Sequence, residues 1–134
     1  MSASSFTLIF FSFGLLLNGA SALTCFENDD KGNIVERSNE SWKYCSLIPM
    51  ADGETGRLTG VGELTENLVG QDAVFGQNSK LYKVVVMCIY ERYDFGAISH
   101  AFGPAPEYMF RCFCNTDRCN QHATFGRFLK DSRY

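Results

Sequence analysis

The sequence is poor in the groups that chemistry usually needs. Histidine occurs only at His100 and His122, and Ser99-His100 are sequence neighbours, which does not make a triad. No G-x-S-x-G elbow is present, so a hydrolase of that construction is not expected. Cysteines held in disulfides cannot serve as nucleophiles, and no tuned carboxylate pair stands out. A non-enzymatic protein without a cofactor is therefore the expectation, with both histidines read as loop residues.

Charge is also missing where it would be informative. No charged residue precedes Glu27, and Lys and Arg are scattered beyond it. The net charge of −3 argues against a nucleic-acid partner and against a polybasic membrane anchor. There are no internal repeats and no low-complexity tract.

No hydrophobic run reaches bilayer length. The longest, Phe6 to Leu17, is broken by Thr7, Ser12 and Gly14. It is about a dozen residues, against the ~20 that a spanning helix requires. It runs into Asn18-Gly19 and then Ala20-Ser21-Ala22, a small-x-small triplet of the kind signal peptidase accepts. Residues 1–22 thus read as a signal peptide, although its n-region lacks a basic residue. The last residues, Gln121 to Tyr134, offer no apolar tail of the length a lipid-attachment signal needs. The expectation is a freely secreted, extracellular protein without a lipid anchor. It would comprise a domain over 23–120 and a C-terminal extension over 121–134. An alternative for the extension is that Phe125, Phe128 and Leu129, spaced i, i+3, i+4, form a short amphipathic turn packed on the domain.

What the exported part has is cysteine: Cys25, Cys45, Cys88, Cys112, Cys114 and Cys119. An even number in a small secreted chain implies three disulfides, each worth roughly 3 kcal/mol for a loop of about 20 residues. Fifteen pairings are possible, and spacing alone cannot choose among them. Asn115, Thr116 and Asp117 suit a tight loop closed by Cys114 and Cys119, and strand bracketing favours Cys25 with Cys45 and Cys88 with Cys112. A zinc site from Cys112, Cys114, Cys119 and His122 is a weaker alternative, because it lacks a C-x2-C knuckle.

Period and punctuation place strands around the cysteines, which makes the fold all-β, small and disulfide-rich, an antiparallel sheet with long loops. Leu23 to Glu27 reads as a first strand, followed by turn residues from Asn28 to Asn33. Ile34-Val35 begin a return, and Trp42 to Ile48 form a further strand. Asn39-Glu40-Ser41 is a glycosylation sequon in the segment between Cys25 and Cys45. From Met50 to Lys80 no period survives. The stretch reads as a mobile excursion in which Leu58, Val61, Leu64 and Leu68 allow a short helix against the resistance of Gly60 and Gly62. Leu81 to Tyr90 is the strongest strand and is expected at the centre of the sheet. A second excursion, Glu91 to Glu107, returns into Tyr108 to Cys114. Cys112 and Cys114, two apart on that strand, share a face.

The ending, Cys114-Asn115-Thr116-Asp117-Arg118-Cys119-Asn120, resembles the C-terminal signature of the three-finger superfamily of venom neurotoxins and of lymphocyte-antigen and urokinase-receptor domains. The resemblance implies that Cys25, Cys45, Cys88, Cys112, Cys114 and Cys119 are that family's first, third, fifth, sixth, seventh and eighth cysteines. It also implies the three pairs named above, and an Asn120 side chain that hydrogen-bonds the base of the fold. The second and fourth cysteines are absent, Phe113 separates two that are often adjacent, and the 42 residues between Cys45 and Cys88 exceed a usual finger. The implied role is recognition of an extracellular protein, such as a membrane receptor or channel ectodomain, through loop tips. Tyr93, Phe95 and Phe102, in or beside the second excursion with Tyr108, are the candidate anchors, since rigid aromatics on loops bind well. A secreted enzyme and a membrane-active defence peptide are the competing classes.

Overall fold

The computed structural model describes residues 21–99, 101 and 103–132. The signal-peptide expectation falls almost wholly outside these residues, as do His100 and Phe102.

The strands of the described residues form three antiparallel hairpins. The first pairs β1 (Leu23–Asn28) with β2 (Ile34–Asn39). Its turn is built on Asp29, whose Oδ1 accepts from the amides of Lys31 at 2.9 Å and Asn33 at 2.8 Å. Gly32 supplies the positive φ of 83° that the bend requires. The second hairpin pairs β3 (Trp42–Pro49) with β4 (Gly56–Gly62) around an Asp52 turn of the same chemistry, in which Oδ1 accepts from Glu54 and Thr55. The third pairs β5 (Met87–Tyr93) with β6 (Glu107–Cys114). β1 and β2 form a two-stranded sheet, and the other four strands form a sheet in the order β4-β3-β6-β5. The fold is thus the small all-β, disulfide-rich one expected from the cysteines and the strand periods.

β4 is where the expected excursion and helix give way to a strand. Leu58 and Val61 are buried on β4, while Leu64 is exposed. The glycines that spoil a helix here serve the pairing. A Cβ at Gly60 would run into the Trp42 ring, and one at Gly62 into the Ser41 carbonyl. The helix lies further on, as α1 (Val69–Phe75). The expected central strand is displaced as well. β5 starts only at Met87 and lies at the edge, whereas β3 and β6 are central. β-propensity marks residues that fit a pleated surface, and a single strand's composition does not say how many neighbours it has.

The four-stranded sheet buries both faces. On one face Leu47, Leu58, Cys45, Cys112 and Cys114 pack beneath β1 and the C-terminal helix α2 (Phe125–Asp131), which contributes the fully buried Phe128. On the other, Tyr44, Val61 and Phe113 pack against Leu68 and Phe75 from the α1 region. Burying a Phe such as Phe128 is worth on the order of 2–3 kcal/mol, so residues beyond Asn120 are part of the core.

Asn120, 0% exposed, joins the two sheets. Its Oδ1 accepts from Phe26 N at 2.9 Å, and its Nδ2 donates to Phe26 O at 2.9 Å and Ser46 O at 3.1 Å. Asn120→Ala removes the side-chain partner of the part-buried Phe26 N and O and one partner of the buried Ser46 O. The expected loss is about 3–5 kcal/mol, read as a fall in the urea midpoint at unchanged disulfide content. A loss below about 1 kcal/mol would show that the tie is dispensable.

Candidate functional site

The cysteines form the pairs Cys25–Cys45, Cys88–Cys112 and Cys114–Cys119, and none is free. The thiolates that a zinc site at Cys112, Cys114 and Cys119 needs are therefore consumed as cystine. His122 instead lies with Nε2 3.3 Å from Asp131 Oδ2. Among the described residues no cluster of His, Cys, Asp and Glu is arranged to hold a metal.

The loop between Cys114 and Cys119 clamps β1. Asp117 Oδ1 accepts from Thr24 N at 2.9 Å, and Arg118 N donates to Thr24 O at 2.7 Å. Arg118 holds a φ of 59°, a conformation disfavoured for a residue with a Cβ. Its guanidinium grips Glu36 on β2 with two bonds, at 3.0 and 2.7 Å, which keeps that carboxyl below the usual range. The base of the hairpins is thereby cross-linked covalently and by hydrogen bonds.

A second cluster sits on the sheet face that α1 partly covers. Arg111 on β6 donates to both oxygens of Glu91 on β5, at 2.6 and 2.9 Å, and to Glu66 Oε2 at 2.8 Å. The guanidinium also lies 5.1 Å from the Phe113 ring centroid, within cation–π range. Its hydrogen bonds hold the Glu91 carboxyl below the usual range despite partial burial. The cluster borders an open cleft of about 210 Å³ lined by Thr59, Gly60, Val61, Thr65, Glu66 and Arg111. Nearby, the Tyr44 hydroxyl donates to Asp72 at 2.6 Å. Burial, reinforced by that carboxylate, pushes the phenol's ionisation up.

The aromatic candidates divide. Tyr93 and Phe95 are half-buried and stack on each other, with centroids 5.4 Å apart, so part of each ring is spent inside the chain. Tyr108, a neighbour in the expected excursion, is 58% exposed and stacks at 5.8 Å on Tyr90, which is 71% exposed. Tyr90 went unnoticed because it was read as part of a central strand. The alternation Ile89-Tyr90-Glu91-Arg92 would have separated it from Glu91, since neighbours along a strand face opposite sides. Asn39 is exposed where β2 turns into β3, and its Oδ1 accepts from Ser41 N and Ser41 Oγ. Among the described residues no helix is long and apolar enough to cross a membrane.

A family of unknown function (DUF5354) matches the chain over residues 17–133. No curated protein and no solved structure matches it.

The Arg111 cluster ties stability to pH. Because the folded Glu91 pKa lies below its ordinary value of 4.5, its contribution is present above that value and is lost as pH falls through the lowered one. Arg111→Met is expected to cost about 2 kcal/mol at pH 7. It should also make stability fall less steeply than wild type below pH 4.5, in urea titrations at a series of pH values. Parallel pH profiles for the two proteins would contradict the assignment.

Proposed function

The chain belongs to DUF5354, a family of unknown function, and on that premise we propose that it is a secreted, non-enzymatic binding module, a divergent three-finger domain. Its partner is an extracellular protein such as a receptor or channel ectodomain. Three hairpins rooted in cystine and the bonding of Asn120 support the three-finger reading. Six half-cystines and the small-residue triplet after the leading apolar run support export. The exposed sequon at Asn39 supports an N-linked glycan where β2 turns into β3.

The observation that carries the binding role is the stacked, exposed pair Tyr90 and Tyr108. Tyrosine is enriched among residues that dominate binding energy, because it offers a large rigid surface with a polar tip. Arg92, on the same strand and pointing the same way as Tyr90, adds a charged neighbour. The Cys88–Cys112 bridge joins the two strands directly opposite each other. The pair is therefore ordered before a partner arrives, and little entropy is lost on contact. Beyond the strands the tip offers Ile98, which is also exposed.

The test is capture of the secreted protein on an array of purified cell-surface ectodomains. Tyr90→Ser with Tyr108→Ser is expected to weaken capture by about 10- to 100-fold. Asn39→Gln should remove a glycosidase-sensitive mobility shift and leave capture unchanged. Full retention of binding by the tyrosine double variant would exclude this face.

A further inference from the structure

The two edges of the four-stranded sheet are treated differently. The β4 edge is closed by side chains of β1. Asn28 Oδ1 accepts from Leu58 N at 2.7 Å, and Glu27 Oε1 accepts from Gly60 N at 3.2 Å. The β5 edge has no such cover among the described residues. Cys88 and Cys112 are directly opposite, with Cα atoms 4.0 Å apart. That separation marks a non-hydrogen-bonded pair, about 4.5 Å as against about 5.5 Å for a bonded one. The backbone groups of Cys88, Tyr90 and Arg92 therefore point away from β6, toward the open edge. Natural edge strands are usually guarded by proline, lysine or a bulge. Met87–Tyr93 contains neither residue, and its register with β6 is unbroken.

The run leading into β5 is equally unfinished. Leu81 to Val86 carries strand-forming sequence yet has no strand partner. Leu81 is 99% exposed, and Tyr82 and Val85 are exposed beside it. Among the described residues its hydrogen bonds are local, Ser79 N to Tyr82 O, Leu81 N to Ser79 Oγ and Val84 N to Asn78 Oδ1, while Val84 and Val86 pack against the core.

We propose that a second copy of this chain completes the edge, with residues 80–94 of the two copies paired antiparallel about a two-fold axis at Met87. In that register Lys80 faces Asp94 of the second copy, Lys83 faces Glu91, Tyr82 faces Arg92, Val84 faces Tyr90 and Val85 faces Ile89. Every charged residue meets an opposite charge or an aromatic ring, and every remaining pair is apolar. The symmetry produces each pair twice, apart from Met87 with Met87 on the axis. Directly opposite side chains on antiparallel strands are close enough for such pairs to stabilise the ladder. Lys83 of the second copy also neutralises the excess negative charge of the Arg111, Glu91 and Glu66 cluster. Moving the axis by one residue sets Glu91 opposite Val85 or Leu81, so the charges select the register. Pairing draws residues 81–86 into line with β5 and replaces their three local bonds by a ladder. The backbone ladder uses the edge of β5, and Tyr90 and Arg92, which belong to the recognition surface proposed above, flank it.

The test is sedimentation of the oxidised, secreted protein from about 1 to 100 µM. A concentration-dependent dimer is expected. Lys80 and Asp94 are exposed, so their exchange leaves the folded chain intact. Lys80→Asp and Asp94→Lys should each weaken dimerisation by about tenfold, and the two together should restore it to within about threefold. Circular dichroism should be unchanged throughout. A monomer at every concentration overturns the proposal, and so does a double variant no better than either single one.

Discussion

One buried carboxamide holds the two sheets in place. Asn120 uses both ends of its side chain on the backbone of Phe26 and reaches across to Ser46, with no solvent to compete. A bond of this kind adds little net energy when made and costs much when broken, because the groups it satisfies are already desolvated. It therefore acts as a constraint. β1 cannot leave β3 without breaking the three bonds of Asn120, and the Cys114–Cys119 loop carries the constraint to Thr24 through Asp117 and Arg118.

The rest of the molecule follows from that base. With the hairpins fixed at one end, the four-stranded sheet can bury both faces in so short a chain, one under β1 and α2, the other under the α1 region. The disulfides lie at the strands' shared end and across β5 and β6, where they restrict the unfolded chain and hold the third hairpin in register. Part of what the core leaves outside lies on the third hairpin and on the run that leads into it. One face of β5 and β6 carries the Tyr90–Tyr108 pair, the edge of β5 has no strand partner among the described residues, and the other face is anchored by the Arg111 cluster. A rigid strand with two unfilled surfaces suits a protein that works by contact.

Much of this was legible in the residues, for identifiable reasons. The cysteines and the strands beside them report directly, since covalent chemistry and period-two burial are local signals. Asn120 could be placed through its position after Cys119. β4 was hidden because Gly60 and Gly62 read as breaks, and only the Trp42 ring and the Ser41 carbonyl that crowd them show why glycine is required. The edge position of β5 was hidden because Val84, Val85 and Val86 read as strand, whereas Val84 and Val86 pack against the core from a segment outside the sheet and Val85 stays exposed. Arg111 and its two carboxylates come from three separate segments, a juxtaposition that no spacing in the sequence announces.

The amide of Phe26 reports on the tie at the base more directly than any other group, because Asn120 Oδ1 is its partner. Its hydrogen exchange should proceed only through global unfolding, with a free energy and urea dependence equal to those of the whole molecule. Exchange through a low-energy local opening, while β3 and β6 stay protected, would show that the base is not what holds the fold together.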